Sequence, residues 1–262
     1  MERMILANGS LSDAATITGA TGLGDLTIGN LKRQSLQEFY RSNGGQNVID
    51  VDFGRPVTLN VAALIAHTAG INATCQVIAG TAAGAASFDT GIMPMQSQLE
   101  ASSAAPDMGK NLFFQFFAPQ TYRYWRFTIN DPDAAYLDIG RLYLSNAFQP
   151  SFNMAYGMTQ VFQDMSSEFL TVSGDSISQK RPKRRVTDFS LEDLSEGEAY
   201  KDLLMLDRLV GTTGDVLFVP KPDDKAFLQI NAVYGKIAEP APVSWTAFSR
   251  FQRQYRIVEL VP

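Results

Sequence analysis

The amino-acid sequence predicts a mainly β protein in two parts: an antiparallel sandwich or jelly roll, then a β-sandwich carrying one packed α-helix. Three observations predict this. Aromatic residues make up 11% of 262 residues, with 17 Phe and 9 Tyr, a composition rich in strand formers. Apolar runs have the length of strands and are punctuated by Gly, Pro, Asn and Asp. Only one stretch, about residues 196–210, combines a helix start signal, a helical apolar stripe and a glycine stop.

In the first half, Val48-Ile49-Asp50-Val51-Asp52-Phe53 alternates up to a turn at Gly54-Arg55-Pro56. Residues 57–66 are then apolar almost throughout, as in a strand covered on both faces. A helix competes over residues 61–66, because periodicity does not decide a short apolar run, but the Thr and Val content and the flanking Gly and Pro favour a strand. Ala73–Ala79 follows as a further strand. Residues 80–109, rich in Gly, Ala and Ser, read as a long surface connection. Two aromatic strands come next, over 111–117 and 122–129, then a turn at Asn130-Asp131-Pro132-Asp133 and a last strand over 136–144. Leu31 to Arg41 offers at most a short helix.

The character changes at Gln149-Pro150, which divides the chain into expected domains over 1–147 and 148–262. Alternating and aromatic stretches fill residues 152–172. The basic cluster Lys180-Arg181-Pro182-Lys183-Arg184-Arg185 leads into a strand over 186–191. At the helix start, Ser195 and Glu198 have the spacing of a capping box. Ala199, Leu203, Leu206 and Val210 recur on one face, with Tyr200 and Leu204 widening it, and Gly211 supplies the C′ position. Residues 215–220, 226–234 and 250–261 read as strands.

Composition excludes several classes of function. The formal charge is −5, with 9 basic against 12 acidic residues up to position 147 and 13 against 15 after it, so neither half is a general nucleic-acid binder. One histidine and one cysteine cannot build a Cys/His zinc site or an internal disulfide. No run reaches the ~18 apolar residues of a membrane helix, and Met1–Leu6 lacks the apolar stretch of a signal peptide. No membrane insertion and no cofactor are expected.

Candidate chemistry is sparse. His67 ends an apolar run without a nucleophile or orienting acid nearby, so it reads as a structural histidine and no catalytic residue is assigned. Cys75 reads as a small core residue. Asp50, Asp52, Asp131, Asp133 and Asp138 are oxygen ligands in principle. They lack the glycine and terminal glutamate of an EF-hand loop, so no metal is assigned. Gly19 to Gly24 is a glycine-bearing loop without the strand and Lys-Ser/Thr pair of a phosphate loop. Trp245, Phe248 and Phe251 read as core or interface aromatics more readily than as a sugar platform. Lys180, Arg181, Lys183, Arg184 and Arg185 form a basic edge, and Glu192, Asp193, Glu196 and Glu198 an acidic stretch, which are opposite patches suited to head-to-tail contact between subunits.

The first half resembles a discoidin-like (galactose-binding-like) domain. The residues that carry this are Asn30-Leu31, Phe39-Tyr40-Arg41-Ser42, Val51 to Asn60, Tyr122 to Phe127 and Leu137 to Leu144, in that order. The continuation resembles minor tail and baseplate proteins of long-tailed, siphovirus-type bacteriophages. It does so through Phe148-Gln149-Pro150-Ser151, Tyr156-Gly157, Arg181 to Arg185, Phe189-Ser190-Leu191, Leu206-Asp207-Arg208, Val216 to Pro220 and Val233-Tyr234-Gly235. The strand–helix–strand order is similar to the tube-type β-sandwich of distal tail proteins.

The resemblance implies a non-enzymatic virion protein of the tail tip, assembled in the host cytoplasm. It would form a cyclic homo-oligomer, a trimer or hexamer, around the tail axis against the tail tube, tip hub and fibres. The first domain would face outward, with a host surface glycan as a further partner. The competing expectation is a carbohydrate-binding module for a bacterial surface glycan.

Overall fold

In the computed structural model, residues 3–96 and 111–261 are described, and the protein is mainly β. The chain divides into two compact units. One holds the described residues up to Gln149 together with Val219–Ala232, the other Pro150–Phe218 and Val233–Val261.

The first unit contains β1 (Ile5–Asn8), β2 (Thr16–Gly19), β3 (Tyr40–Arg41), β4 (Gln46–His67), β5 (Thr74–Gly80), β6 (Phe88–Pro94), β7 (Asn111–Asn130) and β8 (Asp138–Ser145). Two long strands organise it. β4 and β7 pair antiparallel from Gln46 opposite Asn130 to His67 opposite Asn111, with the register broken between Asp52 and Val57. Before the break β4 lies between β2 and β7; from Val61 onward it lies between β7 and β8. Both strands thus pass from a layer ordered β2-β4-β7-β5-β6 into one ordered β3-β8-β4-β7, and the inner faces share one core that includes Ile49, Val51, Leu64, Cys75, Phe113, Trp125, Phe127 and Leu142.

The segment Gly54-Arg55-Pro56, expected as a turn between two strands, is a bulge inside one. Gly54 takes φ +70°, open to a residue without Cβ, and Pro56 has no N–H to donate, so the ladder shifts there rather than ending. The unbroken apolar run has the predicted cause. Residues 59–67 are buried in succession, and the N-terminal segment covers the outer face, where Tyr143 Oη donates to the Ala7 carbonyl and Ser12 Oγ to that of Leu142.

Two expectations in this half are corrected. Leu31 to Arg41 forms no α-helix: a 3-10 turn covers Ile28–Lys32, and Asn30 Nδ2 ties down the chain on both sides of it through the Asp25 and Phe39 carbonyls. The connection over 80–109 holds β6, pinned to β5 by Gln76 Nε2 on Asp89 and by the Val77 N–H on Thr90 Oγ1; its later part, from residue 97, lies outside the described residues.

Val219–Ala232 is grouped with this unit. The Gln229 amide bonds both polar groups of the Leu112 backbone, at 2.6 and 2.7 Å, and so caps a stretch of β7 that has no strand beyond it among the described residues. Residues 226–232, expected to be strand, form a helical turn over Leu228–Asn231.

The second unit contains β9 (Thr159–Asp164), β10 (Ser167–Leu170), β11 (Ser176–Gln179), β12 (Lys183–Leu194), β13 (Val216–Val219), β14 (Val233–Ile237), β15 (Ser244–Ala247) and β16 (Arg250–Glu259). Its sheet runs β13-β14-β16-β12-β9, with β15 beside β16, while β10 and β11 form a separate two-stranded sheet. One helical segment, α1, is wound as a π-helix over Gly197–Leu204 and as an α-helix over Met205–Val210. The predicted capping box is present: the Ser195 N–H donates to Glu198 at 2.9 Å, and the Glu198 N–H returns to Ser195 Oγ at 3.4 Å. Gly211 closes the helix at φ +56°, donating its N–H to the Asp207 carbonyl.

Ala199, Leu203, Leu206 and Val210 are buried as the pattern predicts. Arg253 of β16, also buried, reaches up to Asp207 of α1 and ties helix to sheet. Tyr200 and Leu204 do not widen that face; they lie on the outer side with Met205 and Leu209. Phe189 stacks on Phe218 at 4.2 Å between centroids and on Tyr255 at 5.5 Å.

Candidate functional site

The charged residues picked out by sequence divide into those that face solvent and those used within the fold. Lys180 and Arg181 lie exposed between β11 and β12; Lys183, also exposed, sits 3.9 Å from Asp164, and Arg184 Nε donates to Gln163 at 2.9 Å. Arg185 does not belong with them. β12 alternates, so Arg185 shares the inward face with Thr187, Phe189 and Leu191, and its Nε donates to Glu259 at 2.8 Å. Of the acidic stretch, Glu192, Asp193 and Glu196 are exposed. Glu198 is spent at the helix start: burial opposes its charge, but hydrogen bonds from Ser195 and the Ser151 N–H outweigh that and hold the carboxyl below its usual range.

The feature that sequence reading did not single out is the arm that carries the basic edge. From β9 the chain runs out through β10, turns at Thr171–Asp175 and returns through β11 to β12. No residue between Val161 and Lys183 is buried. The arm is well built all the same. Phe169 pairs with Ile177 across the hairpin, the Thr171 N–H donates to the Asp175 carbonyl at 2.8 Å, and Gly174 takes φ +88° in the turn. Among its exposed side chains are the large apolar Val161, Phe162, Met165, Phe169, Leu170, Val172 and Ile177, with Leu170 77% exposed. The signal was present in the apolar content of 161–172, read in the sequence only as alternating and aromatic stretches, while Gly174–Gln179, which holds β11, reads as polar.

A second apolar surface lies on the outer side of α1. Leu209 is 76% exposed, and Tyr200, Leu204 and Met205 lie open beside it. Trp245, 72% exposed, donates its indole N–H to Tyr200 Oη at 2.9 Å, and both rings stand edge-on to Phe251. Of the three aromatics weighed in the sequence, Phe251 is core, while Trp245 and Phe248 face solvent. Asp202, which sequence reading passed over, lies exposed on the same helix.

In the first unit, loops 42–45, 68–73 and 131–137 gather at one end of the sandwich. Buried Asp131 holds them together, accepting the Gly70 N–H at 2.7 Å and donating its own N–H to the Gly45 carbonyl. Arg41 binds Asp138 in bidentate fashion at 2.7 and 2.9 Å and lies 4.3 Å from the ring centroid of exposed Tyr136. Asn72 and Asp133, on two of these loops, bond to each other, both exposed.

The aspartates weighed as metal ligands are engaged elsewhere: Asp50 by Arg126, Asp52 by Arg123, Asp138 by Arg41. The Arg123 guanidinium and the Gly54 N–H hold Asp52 down to about 2. His67 is fully buried, accepts the Ala69 N–H on Nδ1 and is pushed down to about 3 by burial; burial pushes the Cys75 thiol up, which leaves no thiolate. Among the described residues no helix is long and apolar enough to cross a membrane.

No protein-family model matches the sequence, and no curated protein matches it. Solved structures do resemble the fold, among them carbohydrate-binding modules. The family 32 carbohydrate-binding module of C. perfringens NanJ, in complex with galactose, is 12% identical over 53% of this chain and 98% of its own, with a TM-score of 0.39. Chitosan-binding module 1 from a Paenibacillus sp. IK-5 chitosanase/glucanase is 16% identical over 52% and 98%, at 0.40. SpGH29 is 14% identical over 53% of this chain, which spans only 28% of it, at 0.41. At these TM-scores the likenesses carry nothing about ligand or activity.

Proposed function

We propose that the chain is a non-catalytic structural subunit of a phage tail tip or baseplate. Copies assemble through the second unit into a closed ring, and the first unit is the displayed domain. The tail-tip setting rests on the sequence resemblance; the assembling role rests on the arm. An isolated two-stranded sheet is marginal in water, and large exposed apolar patches are where proteins bind other proteins. An ordered hairpin bearing Phe169, Leu170, Val172 and Ile177 on its exposed surface, with nothing buried from Val161 to Lys183, is therefore an element shaped for a partner. Light scattering and negative-stain microscopy of the purified protein test this. Rings are expected, and monomers when the arm is replaced by a short turn. A wild-type protein that stays monomeric at high concentration overturns it.

A second reading has its own observation: the loop end of the first unit carries an exposed aromatic ring against Arg41 and, on the same loops, the exposed hydrogen-bonded pair Asn72–Asp133. Apolar sugar faces pack on rings while polar groups bond the hydroxyls. Titration with galactose and a panel of bacterial glycans tests it: saturable binding lost in Tyr136→Ala supports a carbohydrate-binding module, and no binding to any of them removes it.

A further inference from the structure

The arm and the outer side of α1 are two unlike apolar surfaces on one unit, and the root of the arm is basic where the start of α1 is acidic. The arm bears Lys180, Arg181 and Arg184 at its root. Around α1 stand exposed Glu192, Asp193, Glu196 and Asp202 against exposed Lys201 and Arg208, an excess of acid gathered at the helix start. We propose that they are the two halves of one interface, the arm of one copy lying along α1 of the next. The inference rests on the assembling role given above and adds the contact that makes it.

Three features favour this occupant. A helix in a globular protein turns one stripe to the core and a polar side to water; α1 is apolar on both, with Leu203 and Leu206 inward and Leu204 and Leu209 outward. The lengths are compatible: at ~3.3 Å per residue the four-residue strands β10 and β11 each reach about 13 Å, within the ~20 Å of α1 at ~1.5 Å per residue or less. Charge then decides between geometries. Arm against arm would set two basic roots side by side, whereas arm against α1 sets a basic root beside an acidic helix. Such a contact joins different patches of identical copies, so it propagates and closes only as a ring. The Trp245–Tyr200–Phe251 group, held by a hydrogen bond and ring contacts, is the preorganised aromatic anchor at the helix side.

The test uses two full-length variants. Leu170→Gln with Ile177→Gln spoils the arm; Leu204→Gln with Leu209→Gln spoils the helix face. All four positions are exposed, so both variants are expected to keep the wild-type circular dichroism and melting. Sedimentation should show the wild type as a closed oligomer and each variant alone as monomer, its self-association at least 100-fold weaker. An equimolar mixture should give heterodimers and nothing larger, because one good arm then meets one good face and each remaining patch is dead. Helix-face variants that assemble like wild type, or a mixture that stays monomeric while wild type assembles, overturn the arm-to-helix contact but leave self-assembly standing. A monomeric wild type removes the assembling role itself.

Discussion

The indole N–H of Trp245 donates to the Tyr200 hydroxyl at 2.9 Å while Trp245 stays 72% exposed, so a hydrogen bond joins β15 to α1 on the solvent side of the second unit. A side chain fixed in its bound geometry loses little entropy when a partner covers it, which is how aromatic anchors come to dominate interfaces. Trp245→Ala should weaken assembly by about 2 kcal/mol, roughly 30-fold, with little effect on the subunit's own stability. The other tryptophan, Trp125, is buried in the first unit's core. The concentration-dependent blue shift of tryptophan emission should therefore come from Trp245 alone and vanish in Trp245→Phe. A shift that survives that substitution would place the contact elsewhere.

Arg184 and Arg185 are neighbours with separate duties. Arg185→Ala strands Glu259 in a mostly buried site and should cost about 3 kcal/mol of stability, at the low end for breaking a buried pair because both side chains keep some exposure. Arg184→Ala removes a half-buried group bonded only to Gln163 among the described residues, and should change stability by under ~0.5 kcal/mol. Assembly should respond the other way, with Arg184→Ala lowering its rate and salt dependence. Chemical denaturation and stopped-flow scattering on both variants check this. Equal stability losses would contradict the assignment of Arg185 to the interior.

The two faces of α1 should separate just as clearly. Leu206 is buried and Leu209 is not. Leu206→Ala should cost about 2–5 kcal/mol, the range for truncating a core leucine, and Leu209→Ala less than ~0.5. A near-neutral Leu206→Ala, read from urea unfolding, would mean that the helix does not rest on the sheet through that face.

How far the sequence revealed these features varies by physical cause. The helix, its capping box and its inner face were legible because local hydrogen bonding and a repeated apolar spacing are written in neighbouring residues. Tyr200 and Leu204 were misplaced because the first part of α1 is a π-helix, whose wider turn moves side chains off the 3.6-residue phase. Arg185 carried a readable signal, the strand parity it shares with Phe189 and Leu191, but the charge run masked it. β6 was missed because backbone ladder bonds and Asp89 hold it in place instead of an apolar pattern. The arm lay in plain view as strand-forming residues; nothing local says that no partner strand or core covers them.

The last prediction concerns His67, the only histidine, and acid stability. It is fully buried at the end of β4, and burial pushes it from 6.5 down to about 3. In the unfolded chain it takes up a proton near pH 6.5, while in the folded state it stays neutral until about pH 3. Between those values the unfolded state binds the extra proton, so stability rises with pH and is lost as pH falls, at up to about 1.4 kcal/mol per pH unit. Asp52, held down to about 2 by Arg123 and Gly54, acts in the same sense, but from below its ordinary value of 3.8. Asp202, exposed but pushed up by partial desolvation on the helix and by the nearby Glu198, acts in the opposite sense and sits in the second unit. The interval from pH 6.5 to about 4.5 therefore belongs mainly to His67. In a Trp245→Phe background, Trp125 emission reports unfolding of the first unit, and its urea midpoint should fall steadily across that interval. His67→Asn is expected to lower stability at neutral pH yet to flatten the slope. A slope unchanged by the substitution would show that another group drives acid unfolding of this unit.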